Sequence, residues 1–80
     1  MTELAKLTRS YQPTPAARVI VDAIAEQGRQ RQWLAARLGY SPAMLSFWLT
    51  GYRPMPIEMA FRAAEILGIP RSVIETASAQ

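Results

Sequence analysis

Four glycines divide this chain into short intervals. Gly28, Gly39, Gly51 and Gly68 each follow an apolar run, and glycine takes the left-handed backbone that ends a helix at least cost. Two intervals also open on a hydroxyl residue followed by proline, Thr14-Pro15 and Ser41-Pro42. Such a pair is a helix start: the hydroxyl accepts from a free amide, and proline is tolerated at the first helical position. No segment shows sustained alternation with period two. Punctuation of this kind leaves room only for short helices, so the expected fold class is all-α, a compact five-helix bundle with connections of about two to six residues.

The apolar spacing fills in the helices. Residues 14–28 give the first, with Ile20, Ala23, Ile24 and Gln27 recurring and Ala16 and Val19 widening the apolar side. Residues 30–38 give the second, with Trp33, Leu34, Ala35 and Leu38 at its apolar positions, and Tyr40 joins it to a third over 41–50. After the loop Tyr52-Arg53-Pro54-Met55-Pro56, a fourth helix carries Ile57, Ala60, Phe61, Ala64 and Leu67, spaced by threes and fours. Pro70 opens a fifth with Val73 and Ile74 on one side, and the tail from Thr76 to Gln80 is expected to fray. Ahead of these, residues 2–7 offer a short helical turn, while Tyr11-Gln12-Pro13-Thr14-Pro15 cannot be helical throughout. The expected organisation is an arm over 1–13, one helical domain over 14–76 and a tail over 77–80.

Composition narrows the function. Cysteine and histidine are both absent, which removes disulfides, thiolate metal sites and the commonest general base. Asp22, Glu26, Glu58 and Glu65 fall on helix surfaces without an acid/base pairing, and Ser41 reads as a cap rather than a nucleophile. An enzyme is not expected, and neither is a cofactor, a metal or a small-molecule ligand. No stretch approaches the roughly 20 apolar residues of a membrane span, and residues 1–10 lack the apolar run of a signal peptide. A soluble, cytoplasmic protein is expected.

The charge is unevenly spread. The net charge is +3, yet no acidic residue lies between Glu26 and Glu58, a stretch that holds Arg29, Arg31, Arg37 and Arg53. The rest of the chain carries five basic and six acidic residues. A basic region of this kind attracts polyanions, nucleic acid above all, although a solvated face without a partner has the same composition.

Leu34 and Ala35, then Gly39, then Leu45 and Trp48 have the spacing of two helices joined at a steep angle by a three- or four-residue turn. Ala35 is small where the helices approach, and Leu34, Leu38, Leu45 and Trp48 form the wedge between them. Together with Ser41-Pro42, Leu49-Thr50-Gly51, Pro54 and the run Ala63-Ala64-Glu65-Ile66-Leu67-Gly68-Ile69-Pro70, this stretch resembles the phage repressor and Cro-like helix-turn-helix family from Arg29 to about Ile74. The sequence departs from the family pattern at two places. Arg31 stands where the second helix often begins with Gln, and Thr50 where Asn usually precedes the glycine after the third.

The resemblance implies a lambda-repressor-like bundle whose third helix enters the major groove of an operator in double-stranded DNA. Family members often bind as two-fold dimers at half-sites about one helical turn apart, and a homodimer here would use Ile69, Val73 and Ile74. Leu45, Trp48 and either Leu49 or Tyr52 face the core. By the resemblance, Pro42, Ala43, Ser46 and Phe47 reach base edges, with Met44 at the margin. This surface lacks the Arg, Gln and Asn that pair bidentately with bases, so readout is expected to lean on thymine methyls, on single bonds from Ser46 and on DNA shape. Gln30, Arg31, Gln32, Arg37, Ser41, Thr50, Tyr52 and Arg53 are the expected contacts to the DNA backbone. A transcriptional repressor or Cro-like regulator follows. A protein-interaction module, or an antitoxin-like regulator with the same fold, remains beside it. The arm, with Leu4, Leu7 and Tyr11, packs on the bundle, crosses to a partner, or reaches DNA through Lys6 and Arg9.

Overall fold

Two helices begin on a hydroxyl cap, and four end on a glycine in the left-handed region. The structure, a computed structural model, describes residues 11–79; the helical turn expected over residues 2–7, with Leu4, Lys6, Leu7 and Arg9, lies outside the described residues. Five helices follow one another: α1 (Pro15–Gln27), α2 (Arg31–Leu38), α3 (Pro42–Thr50), α4 (Ile57–Leu67) and α5 (Arg71–Ser78). Thr14 accepts from the Ala17 N–H at 3.1 Å, and Ser41 accepts from the Met44 N–H at 3.2 Å. Each hydroxyl thereby satisfies one of the amides that a helix start leaves without a partner. Among the described residues there is no strand, and the chain is an all-α bundle as the punctuation implies.

The core is apolar throughout and rich in alanine. Ala16, Ala17, Ala23, Ala35, Ala60, Ala63 and Ala64 are buried, beside Ile20, Ile24, Leu34, Leu38, Leu45, Trp48, Leu49, Leu67 and Ile74. Among the described residues no polar side chain is buried. Alanine faces let helix axes approach closely, so α1 packs on α3, α4 and α5, α2 on α3 and α4, and α4 on α5. Gln27, expected on the apolar side of α1, is exposed and donates from Nε2 to the Leu67 carbonyl at 2.8 Å. That carbonyl lies in the last turn of α4 and lacks a partner within its own helix.

The structure corrects several expectations by a rotation of one helical position. In α4 the buried face is Ala60, Ala63, Ala64 and Leu67; Ile57 is exposed and Phe61 half-buried. Phe61 is instead covered from outside by Arg71, whose guanidinium carbon lies 3.8 Å from the ring centre. Met55 lies in the expected loop, and its side chain is buried. The last helix, α5, runs through Thr76 to Ser78, with Ile74 anchoring it against α1 and α4. Ile74 is fully buried, so it is unavailable to a dimer surface, and of the residues offered for one only Val73 is exposed and Ile69 half-buried.

The joint between α2 and α3 is a tight turn. Gly39 has φ +82°, and its N–H and that of Tyr40 both donate to the Ala35 carbonyl, at 2.9 and 3.0 Å. Leu34, Ala35 and Leu45 are entirely shielded and Trp48 nearly so. Tyr40 adds an edge contact to the Trp48 ring at 5.0 Å, a geometry that stabilises beyond burial alone.

Gly51 is constrained twice. Its φ is +88°, and a Cβ placed there would overlap the Gln12 carbonyl group and the Pro13 nitrogen. At Gly39 a Cβ would meet nothing. Gly39→Ala should therefore cost about 1–2 kcal/mol, the steric penalty of a left-handed L-residue, while Gly51→Ala should cost more. Denaturant titration of the two variants checks this, and equal losses would mean that residues 12–13 move aside freely.

Candidate nucleic-acid interface

α3 has two sides with different tasks. Leu45, Trp48 and Leu49 face inward, so Leu49 rather than Tyr52 completes its core side. Positions 43, 46, 47 and 50 recur at threes and fours and form one outer stripe. Ala43, Thr50 and the leading Pro42 are exposed, and Ser46 and Phe47 are half-buried. Met44 packs partly against the core, which leaves it at the margin of the stripe.

Two arginines bracket this stripe. Arg31 opens α2, and its Nη1 donates to Ser46 Oγ at 3.4 Å, a long and therefore weak bond at the surface. Arg53 stands over Phe47, with its guanidinium carbon 5.8 Å from the ring centre. Its backbone N–H donates to the Phe47 carbonyl at 3.1 Å, which ties the loop to the last turn of α3. The two cations thus sit at adjacent ridge residues contributed by separate elements.

The remaining expected residues fall into place around them. Tyr52 is exposed and lies against Phe47, ring centres 5.0 Å apart. Thr50 is exposed, but its hydroxyl donates to the Ser46 carbonyl at 2.8 Å and its oxygen lies 3.5 Å from the Tyr52 N–H. A hydroxyl has one proton, and here it braces the end of α3. Ser41 is exposed and caps the other end. Gln30 and Gln32 are exposed beside Arg31, and Gln30 makes no capping bond to α2.

Arg37 has a different surrounding. Trp33, expected in the core, is half-buried, because the inward face of α2 is Leu34, Ala35 and Leu38 and each residue turns by about 100°. The guanidinium carbons of Arg29 and Arg37 lie 4.2 and 4.8 Å from its ring centre, contacts worth about 0.5–1 kcal/mol each at exposed sites. Arg29 was missed as a member of this group. The signal was present, since positions 29, 33 and 37 are spaced by four.

The field over this region is positive. Among the described residues the one ion pair is Arg71 with Glu75 on α5, at 3.4 Å between exposed side chains. Arg29, Arg31, Arg37 and Arg53 have no carboxylate partner among the described residues. Asp22, Glu26, Glu58 and Glu65 are exposed, and among the described residues no group of three metal-binding side chains converges. No described helix is long and apolar enough to cross a membrane.

Residues 21–74 match the family model described as helix-turn-helix. The match runs from within α1 to Ile74 of α5 and covers more than half of the chain, with α2, the Gly39 turn and α3 at its centre. The chain matches no curated protein and no solved structure at a significant level.

The two indoles should report the patch separately. Trp48 is shielded, whereas Trp33 is half-buried and has two guanidiniums beside it that concentrate anions. Iodide should quench the fluorescence of a Trp48→Phe variant much more than that of a Trp33→Phe variant. Arg29→Ala and Arg37→Ala should each lower the ratio of iodide to neutral acrylamide quenching. Equal iodide quenching of the two single-indole variants would contradict the placement of Trp33.

Proposed function

This chain belongs to the helix-turn-helix family of phage-repressor and Cro type, and from that premise we propose that it is a sequence-specific transcription regulator whose α3 lies in the major groove of duplex DNA. The family is one of DNA-binding regulatory domains and not of enzymes. The finer reading rests on one observation: the outer stripe of α3 is bracketed by Arg31 at Ser46 and Arg53 at Phe47, with no carboxylate between Glu26 and Glu58. A helix of about 10–12 Å diameter fits a major groove about 12 Å wide. Arginines on both flanks would then meet the phosphates that border it.

The roles divide by chemistry. Arg31, Arg53, Gln30, Gln32 and Tyr52 would hold the backbone and set the register, which carries no sequence information directly. The open first turn of α3 beside Ser41 would accept a phosphate, and Arg37 would add attraction at longer range. Ala43, Ser46 and Phe47, with Pro42 and Met44 at the edges, would read bases. Their chemistry favours thymine methyls and one hydroxyl contact over bidentate pairing. Regulation would follow from occupancy, the bound domain excluding polymerase or another regulator from an operator. A homodimer on a palindromic operator, with Val73 and Ile69 near its contact, is part of this reading. The phage-like, cytoplasmic setting and the division into arm, domain and tail belong to it as well.

One feature favours a second reading. The stripe is apolar for a base-reading helix, and Phe47 with Tyr52 could equally meet a protein surface. Gel-shift titration on random duplex at low and raised salt separates the two. With about four phosphates neutralised, log affinity should fall against log salt with a slope near −3.6, and a slope near zero would favour the protein partner.

Site selection from random DNA then tests the residues. Arg31→Ala should weaken all sequences alike and flatten the salt slope by about 0.9. Phe47→Ala should change the preferred bases at one or two positions. An unchanged selected site would remove Phe47 from the readout.

A further inference from the structure

We propose that Tyr11, in the segment that precedes α1, is a positioning residue for the reading ridge and sets base preference through Tyr52 and Phe47. This inference rests on the DNA-reading proposal and extends it to a part of the chain outside the family match, which begins at residue 21.

Three aromatic rings stand in a row. Tyr11 meets Tyr52 edge-on, with ring centres 5.2 Å apart and planes at 61°. Tyr52 meets Phe47 at 5.0 Å and 46°, and the Arg53 guanidinium covers Phe47 at 5.8 Å. Tyr11 and Tyr52 are each about half exposed, at 48% and 52%, so the row lies at the surface and adds little to the core. What it supplies is direction. A phenylalanine on an open helix face has two free torsions, and a neighbour packed against it removes alternatives that Phe47 would otherwise sample. Tyr52 follows Gly51 in a loop, where α3 meets one side of its ring through Phe47; Tyr11 supplies a second contact.

The backbone holds Tyr11 in place. Gln12 and Pro13 cross Gly51 where a Cβ would collide with them. Gln12 and Thr14 each precede a proline, which excludes the helical region for both, and Thr14 is extended at ψ 159°. A stiff segment thus leaves the α1 cap, passes over the end of α3 and delivers Tyr11 to Tyr52. Gly51 serves this crossing in addition to ending the helix.

The test has one readout in the free protein and one on DNA. In Tyr11→Ala, the ring-proton shifts of Phe47 and Tyr52 should move in NMR spectra of the free protein, while the melting temperature stays near that of the wild type. Site selection with Tyr11→Ala should lose discrimination about two- to ten-fold at the same base positions as Phe47→Ala, the equivalent of one aromatic pair. The Tyr11→Ala/Phe47→Ala double variant should lose no more than Phe47→Ala alone. Tyr11→Phe, which keeps the ring, should restore wild-type preference. Gly51→Ala, which blocks the crossing, should shift the Phe47 resonances as Tyr11→Ala does. Unmoved Phe47 resonances, or an unchanged selected site in Tyr11→Ala, would overturn the positioning role and leave DNA reading intact. Failure of the wild type to bind duplex would overturn both.

Discussion

The steep wedge between α2 and α3 is the constraint on which the rest of the molecule depends. Leu34, Ala35, Leu45 and Trp48 meet with almost no exposed surface, and the Gly39 turn fixes their approach through two bonds to one carbonyl. Because Ala35 offers only a methyl group, the helices can close to contact. The result is a division of α3 into an inward side buried in the core and an outward side that is exposed or half-buried. Arg31 and Arg53 come to flank the outward side because each lies at a junction where the chain enters or leaves the helix pair.

Much of this was legible in the residues. Thr14-Pro15, Ser41-Pro42 and the glycines mark the helix limits to within a residue, since each acts locally through a cap or a left-handed backbone. Leu34, Leu45 and Trp48 were legible as core for the same reason, their spacing being a property of one helix. The residues that went astray depend on tertiary packing. Ile57 and Phe61 share a periodic stripe with Ala60 and Ala64, but the bundle buries the alanine edge of that stripe and leaves the bulky edge outside. Trp33 followed the same rule. The Trp33 ring is half-buried at the edge of the core with two arginines beside it, and a small residue is kept at the crossing.

The candidate interface was legible in its parts and not in its connections. Arg31, Ser46, Phe47 and Arg53 could be named from charge and helical position. That Arg31 reaches Ser46, and that Arg53 covers Phe47, are contacts across elements that no periodicity encodes. The same holds for Tyr11, forty-one positions from Tyr52 in sequence and edge-on to it in space. Thr50 shows the reverse case. Its hydroxyl donates to a carbonyl one turn back, a bond within one helix that residue type and position allow.

The separation of the two sides of α3 has an evolutionary consequence. Ala43 is exposed and lies outside the aromatic row, so under the proposed function substitutions there would alter base preference with little loss of fold. Position 47 is different. A new side chain there inherits neighbours from a loop and from the segment before α1, and adaptation at that position would have to proceed in concert with both. Lineages descended from such a chain should therefore explore new targets readily along one half of the ridge and slowly along the other.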